Sequence, residues 1–168
     1  MPLLSRLKST LLTWPKAGEW AISLAIFCGA AVMIVAVALV SGLIHWQPRL
    51  DTWPARLSVF AVPAFAEELV FRGLLVPGRG ESRHAVRWIA FGALAFVLWH
   101  VIEAATILPG AGLFLHPAFL ACAGLLGLAC AVARYRTGSL WPAVLFHGVV
   151  VFAWQVLFGG PTVQELLR

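Results

Sequence analysis

Two adjacent glutamates, Glu67 and Glu68, and an arginine, Arg72, lie in the middle of an apolar stretch of the chain, residues 59–76. Ionisable side chains at membrane depth cost at least about 2.5 kcal/mol each, so they need partners and commonly mark a functional site. On a helix Glu68 and Arg72 share one face, four residues apart, in the favourable order of acid before base. Glu67 points about 100° away around the helix. The spacing therefore predicts an ion pair between Glu68 and Arg72 and leaves the Glu67 carboxylate available for chemistry.

Two histidines in equally apolar surroundings, His100 and His147, are the candidates to meet Glu67. Along helices that rise 1.5 Å per residue, the three residues lie roughly 12 to 18 Å from the same end of their spans. A buried carboxylate beside a histidine can hold a water and take its proton, and a second histidine can stabilise the oxyanion formed on a carbonyl. We therefore predict one shared, water-activating site. Glu103, three residues after His100, is placed to orient or to neutralise that imidazole. The alternative is that Glu103 lies in an outer loop or at the lipid headgroups.

The composition is typical of a membrane protein with several spans. Of the 168 residues, 61% are hydrophobic and only 11% are charged, and the mean hydropathy is +0.92, whereas soluble domains carry about 25% charged residues. The net charge of +5 comes from basic residues that flank apolar stretches, which indicates membrane topology and not a nucleic-acid-binding patch. We therefore expect the lipid bilayer, and no nucleic acid, as a partner.

The order of the apolar stretches predicts an all-α, polytopic membrane helical bundle with about five transmembrane helices and an N-terminal interfacial helix. Residues 1–17 place leucines and basic side chains at helical spacing, which is typical of an amphipathic helix on an anionic surface. Residues 18–168 are predicted to form a single transmembrane domain, with a kink at Pro63. Its spans, each long enough to cross a bilayer, are predicted at 20–44, 56–76, 88–108, 117–133 and 139–158.

The distribution of basic residues predicts the orientation of this bundle. With a cytoplasmic N-terminus, the inner segments hold eight basic residues and the outer segments hold three, which satisfies the positive-inside rule. The inner residues are Arg6, Lys8, Lys16, Arg79, Arg83, Arg87, Arg134 and Arg136, and the outer residues are Arg49, Arg56 and Arg168. We therefore expect a multi-pass protein of the cell inner membrane with its N-terminus in the cytoplasm.

Three short motifs follow one another within the predicted spans. They are Glu67-Glu68-xxx-Arg72, then Phe96-xxx-His100, then Gly138-Ser139-Leu140-Trp141-Pro142 leading to His147. In this order they resemble the CPBP family, also called the Abi or CAAX-protease-like family, over about residues 56–160. The surrounding pattern also resembles bacterial members that are associated with C-terminal protein-sorting tags.

This resemblance implies a glutamic-type intramembrane endopeptidase, with a helical bundle around a cavity that is open to the cytoplasm. Carried over, Glu67 is the general base on a water that it shares with His100, and His147 serves the oxyanion. The resemblance implies that Glu68 and Arg72 hold the motif in shape and that Phe96 packs beside the site. It implies metal-free chemistry with no cofactor, and a membrane-associated or transmembrane protein or peptide as the substrate.

One departure from the family pattern leaves other functions open. The last motif usually reads HxxxN, but Val151 stands where the asparagine is expected, and loss of one oxyanion donor can cost ~10²–10³ in rate. The alternatives are a non-enzymatic membrane protein of the same family, such as an immunity or maturation factor, and an ion- or proton-handling membrane protein. A metal-dependent variant is also open, because four of the side chains are adequate metal ligands: Glu67, His100, Glu103 and His147.

Overall fold

The computed structural model describes residues 3–168, which form seven helices joined by short loops and, within that range, no β-strand. The first two residues of the predicted interfacial helix lie outside the described residues. In chain order the helices are α1 (Leu3–Leu12), α2 (Ala17–Val40), α3 (residues 53–74), α4 (Ala85–Ile102), α5 (Pro117–Thr137), α6 (Trp141–Leu157) and α7 (Val163–Leu166). The predicted fold class, an all-α bundle, is confirmed.

Helix α3, which carries the glutamates, is irregular. It is built from short turns, and π-helical turns at Ala61–Phe65 and Leu69–Leu74 flank the α-helical turn Ala66–Glu68. Val62 has a non-helical backbone conformation (φ −138°, ψ 119°), because a residue before proline disfavours the α-helical region. The kink predicted at Pro63 is therefore present. π-Helical turns occur frequently at functional sites, and here they set the direction in which the glutamates point.

Three of the helices are long and apolar enough to cross a membrane. They are α2, with a mean hydropathy of 2.7, α4 extended by a π-helical turn to Ile107, and α5. Helix α6 is apolar but shorter, and α3 lies between the two long helices α2 and α4 in sequence. The chain thus traverses the bundle five times, and its connecting loops collect at two ends.

The first end of the bundle, which we call the α1 end, is held by polar contacts between α1 and two distant loops. Arg6 Nε donates to Glu81 Oε2 at 3.0 Å, and the backbone N–H of Leu140 donates to the carbonyl of Thr10 at 3.1 Å. Helix α1 therefore packs against the bundle.

The opposite end, which we call the α7 end, gathers the remaining loops. The backbone N–H of Gln47 donates to the carbonyl of Leu157 at 3.0 Å, and that of Gly110 donates to the carbonyl of Leu166 at 2.9 Å. The loops after α2, α4 and α6 therefore meet around α7.

Two predicted spans end four residues away from their helices: α2 ends at Val40 and not at 44, and α5 continues beyond 133. The sequence prediction ends the fourth span at residue 133, because Arg134 and Arg136 follow it. The helix instead continues to Thr137 and is capped by Gly138, whose φ of 68° suits the left-handed conformation that ends helices. Arg134 is only 1% exposed and lies 3.9 Å from the Glu81 carboxylate, so a buried ion pair offsets the charge that was expected to end the helix.

Candidate active site

The predicted ion pair between Glu68 and Arg72 is present at the centre of the bundle. Arg72 Nη1 donates to Glu68 Oε1 at 3.0 Å, and both side chains are fully buried. Arg72 Nη2 donates to the carbonyl of Gly127 in α5 at 2.8 Å. The guanidinium group also lies 4.3 Å from the centroid of the Phe96 ring in α4, a cation–π distance. Arg72 therefore joins α3 to α4 and α5 through one charged group.

Gly127 is the residue that permits this approach of Arg72, a role that the sequence did not predict. A Cβ at this position would lie 3.0 Å from Arg72 Nη2 and 3.1 Å from Phe96 Cδ1. The sequence signal is a stripe of small residues, Ala123, Gly127 and Ala131, at four-residue spacing. Such a stripe indicates close helix contact in general. It does not indicate that an arginine fills the space.

His147 is held by the second of the two glutamates, a contact that the sequence did not predict. His147 Nδ1 lies 3.0 Å from Glu68 Oε1, and a carboxylate paired with arginine can only accept, so Nδ1–H is the donor. The other ring nitrogen, Nε2, lies 3.9 Å from Glu67 Oε2. Glu68 therefore fixes the tautomer of His147 and directs its Nε2 towards Glu67.

His100 is oriented by the backbone of its own helix. Its Nδ1 lies 2.8 Å from the carbonyl oxygen of Phe96, which can only accept, so Nδ1–H donates and Nε2 is left with a lone pair. The Phe96 ring contacts the imidazoles of both His100 and His147 edge-to-face, with centroids 4.7 and 5.5 Å away. Phe96 therefore packs beside the site and positions both histidines.

Glu67 and Glu103 approach each other across the site. Glu67 Oε2 is buried and accepts no hydrogen bond, and its carboxylate is within electrostatic range of Glu103. The indole Nε1 of Trp99 is also buried without a hydrogen-bond partner and lies close to both carboxylates. Glu103 begins a π-helical turn, Glu103–Ile107, and faces Glu67 and Trp99. The orientation of His100, one of the two roles predicted for Glu103, is provided by the Phe96 carbonyl.

A cavity of about 480 Å³ adjoins these side chains. The predicted catalytic residues Glu67, His100 and His147 all line it, together with Glu103 and Val151. Its other walls are almost entirely apolar and come from α2, α5, α6 and the loops of the α7 end. Among residues 3–168, no three His, Cys, Asp or Glu side chains are grouped so that they could hold a metal ion. The arrangement is a small polar group on the wall of an apolar chamber.

A protein-family model described as "Type II CAAX prenyl endopeptidase Rce1-like" matches residues 49–153, which is more than half of the chain and includes every site residue described above. The chain belongs to the Rce1-like type II CAAX prenyl endopeptidase family. The family predicted from the motifs is confirmed, and the Rce1-like match begins and ends seven residues before the predicted core of 56–160. No curated protein and no solved structure matches the chain.

Membership of the Rce1-like family and the apolar helices together identify a multi-pass membrane protein of a protease family. The resemblance to members associated with sorting tags concerns a subgroup of this family, and it stays a prediction. The catalytic roles of Glu67, His100 and His147 also stay predictions, as does the division into an interfacial helix, 1–17, and a transmembrane domain, 18–168.

Proposed function

We propose that the protein is an intramembrane endopeptidase that hydrolyses a peptide bond near the membrane with a water activated by Glu67. One observation carries this proposal. Glu67 lines the cavity, and its Oε2 has no hydrogen-bond partner. Glu68 also leaves its Oε2 without a partner, but it does not line the cavity, and its Oε1 is bonded to both Arg72 and His147. Of the two carboxylates, only Glu67 is free to accept a proton from a water in the cavity.

The geometry supports different roles for Glu67 and His100 towards the same water. A water beside Glu67 can also donate to Nε2 of His100, because Nδ1 of that ring is engaged by the Phe96 carbonyl. When Glu67 takes the proton, the hydroxide oxygen forms a bond to the carbonyl carbon and the carbonyl electrons move to its oxygen. The leaving amine then takes a proton from the Glu67 carboxyl group as the C–N bond breaks.

The oxyanion needs a donor, and His147 supplies one only in its doubly protonated form. Glu68 holds the proton on Nδ1, so Nε2 carries a proton only when the ring is an imidazolium. The carboxylates of Glu67 and Glu68 lie 3.9 and 3.0 Å from the two ring nitrogens, so each nitrogen faces a carboxylate. Val151 lines the same cavity and has no polar atom to share this role.

For the location we propose the cell inner membrane, with the α1 end in the cytoplasm. Eight basic residues lie at the α1 end or in its loops and three at the α7 end, the distribution that the positive-inside rule associates with a cytoplasmic N-terminus. The partner that we propose is a membrane-associated or transmembrane protein or peptide, because the chamber beside the site is apolar.

The test compares membranes from cells that express the wild type or the Glu67→Gln variant. Glutamine keeps the size of the side chain but cannot take a proton, so we expect loss of ~10²–10⁴-fold in cleavage with unchanged thermal unfolding in detergent. New protein C-termini in the membrane fraction are quantified by mass spectrometry. The control is Glu19→Gln, a change at a half-buried carboxylate near the start of α2 that lies outside the cavity. An identical set of cleaved termini in the wild type and Glu67→Gln contradicts the proposal.

A further inference from the structure

We infer that Gln155 is a substrate-binding residue: its side-chain carbonyl oxygen, Oε1, accepts a hydrogen bond from a backbone N–H of the peptide that is cut. The inference rests on the function proposed above. It adds to that function a polar contact outside the group of Glu67, His100 and His147. It also predicts where along the substrate the contact lies.

Gln155 is a buried amide in the wall of the cavity. The residue is 3% exposed and lies in α6, eight residues after His147. Among the described residues that line the cavity, it is the only one with a side-chain amide. A leucine would fill a similar volume without a polar group, whereas a buried amide needs hydrogen-bond partners for both its nitrogen and its oxygen.

The nitrogen of this amide has a partner, and the oxygen has none. Gln155 Nε2 donates to the carbonyl of Pro161 at 3.0 Å. Because that carbonyl can only accept, the hydrogen bond fixes which end of the amide is the nitrogen. Oε1 is buried without a hydrogen-bond partner, and such an acceptor carries the full cost of its lost hydration. A donor from a bound molecule would offset that cost.

The turn after α6 holds the amide in this orientation. Pro161 belongs to the turn and also lines the cavity. The backbone N–H of Gly160 donates to the carbonyl of Trp154 at 3.0 Å, and a Cβ on Gly160 would meet the Trp154 ring. Glycine therefore lets the turn lie directly against α6, where it accepts the hydrogen bond from Nε2 and leaves Oε1 for another donor.

The donor that fits is a backbone N–H of an extended apolar peptide. Apolar side chains gain by leaving water for the apolar walls of the cavity. Each backbone N–H that enters with them loses its hydrogen bond to water and needs an acceptor. Oε1 is itself shielded from water, so the donor must displace apolar side chains of the wall to reach it. The bond that forms is then also shielded, which strengthens it.

The spacing along α6 predicts the position of this N–H in the substrate. Eight residues correspond to ~12 Å along a helix axis, and an extended peptide covers ~3.3 Å per residue. The N–H that binds Gln155 therefore belongs to a residue roughly three to four positions from the bond that is cut. Proline has no N–H, so we expect its exclusion from that position.

The side-chain carbonyl carbon of Gln155 gives a direct measurement. The full-length Glu67→Ala variant, which lacks the proposed base and adds no further glutamine, is labelled with ¹³C at the glutamine Cδ atoms and studied by NMR in detergent micelles. The chain has three glutamines, and Gln47 and Gln164 are exposed and lie outside the cavity. Their signals are internal references. The Gln155→Leu change assigns the third signal by removing it, and a soluble paramagnetic reagent that broadens only the exposed signals assigns it independently.

Two matched probes separate hydrogen bonding from apolar contact. One is acetyl-hexaleucine methyl ester, and the other is the same chain built from leucic acid, with an ester in place of every backbone N–H. We expect the peptide to shift the Gln155 signal but neither reference, and the ester chain to leave all three unchanged. The ratio of the two affinities should be about fivefold larger with Gln155 than in the Gln155→Leu variant, the effect of one hydrogen bond. An unshifted Gln155 signal, an equal shift with both probes or no binding of the peptide overturns the inference.

Cleavage is measured separately, with a peptide that the wild type cuts. Replacement of one amide by an ester, roughly three to four residues from the cut, should lower kcat/KM about fivefold in the wild type and leave it unchanged in Gln155→Leu. Equal losses in both overturn the inference. If Glu67→Gln and the wild type cleave alike, the proposed function fails, and the Gln155 signal still decides whether the cavity binds a peptide N–H at this residue.

Discussion

The two halves of the bundle, on either side of the paired glutamates, differ in their packing: one is filled with side chains and the other contains the cavity. Between Glu68 and the α1 end the side chains are closely packed, and hydrogen bonds join Glu68 to Arg72 and His147, and Arg72 to the Gly127 carbonyl. Glu68 Oε2 and Arg72 Nε are buried there without a partner. Between Glu67 and the α7 end the interior is a chamber with apolar walls. The hydrogen bonds among Glu68, Arg72 and His147 hold these side chains in place, so Glu67 can border an apolar cavity without collapse of the site around it.

The difference is sharpest for the two neighbouring glutamates. They are adjacent in the sequence and share the same short helical turn, yet Glu68 is bonded to Arg72 and His147, whereas Glu67 borders the cavity. Position along the chain therefore does not decide the role of a buried carboxylate. The partners that the neighbouring helices bring to it decide the role.

Glu68→Gln is the change with the largest expected effect on the free energy of unfolding. It leaves Arg72 as a buried cation without its carboxylate and weakens the acceptor that orients His147, so we expect destabilisation of ~3–5 kcal/mol, the range for broken buried ion pairs. The measurement is the free energy of unfolding in mixed detergent micelles. Glu67→Gln is the matched comparison and should unfold like the wild type. Equal unfolding of the two glutamine variants would show that the two carboxylates are not differently bonded.

Gly127→Ala should have the next largest effect, because the added methyl group meets the guanidinium of Arg72 and the ring of Phe96. We expect destabilisation of ~1–3 kcal/mol, the range for overpacked sites. Gly124→Ala on the same helix is the control, since its nearest new neighbour, Val97 Cγ2, lies at an ordinary 3.5 Å.

Alanine is favoured over glycine inside a helix by up to about 1 kcal/mol, so the control should be neutral or slightly stabilised. Thermal unfolding of both variants in the same detergent provides the comparison. If Gly127→Ala is as stable as Gly124→Ala, Arg72 does not need the space beside its carbonyl partner.

Sequence reasoning predicted the parts of the site that depend on spacing along a single helix. The pair of Glu68 and Arg72 follows from four-residue spacing, and the common depth of Glu67, His100 and His147 follows from counting residues along predicted spans. These predictions need only a helix, and the π-helical turns of α3 preserve them. The fold class was predictable for the same reason, because long apolar stretches specify spans.

The contacts between helices could not be predicted in this way. The bond from His147 to Glu68 depends on the rotation of α6 relative to α3, which the irregular turns around Glu68 set and no residue pattern specifies. The bond from Arg72 to the Gly127 carbonyl has no side chain on the accepting residue to identify it. The shape of the cavity depends on how α2, α5 and α6 pack around α3, so it too required the three-dimensional arrangement.

Val151→Asn, a change in the cavity wall, has the smallest expected effect, and the effect is on the rate of cleavage. Val151 lines the cavity one helical turn beyond His147, so an amide there adds a donor for the oxyanion. We expect cleavage to rise by up to about tenfold, equivalent to ~1.4 kcal/mol of the barrier. Val151→Leu, which fills the same place without a donor, should give no gain. The rate of cleavage of a matched substrate in liposomes is the measurement, and a fall in rate with asparagine alone would show that another group already serves the oxyanion.

The contacts of α1 with the start of α6 also have a consequence for biosynthesis. The carbonyls of Thr10 and Leu11 accept hydrogen bonds from the backbone N–H of Leu140 and the indole N–H of Trp141. Trp141 is synthesised 130 residues after Leu11, so these bonds cannot form before then. At 5–20 residues per second, ribosomes need roughly 6 to 26 s to cover that distance. His147 emerges six residues later, in the same helix. Closure of the α1 end and arrival of the second histidine are thus nearly simultaneous, so the nascent chain stays without a complete site while its other spans are inserted.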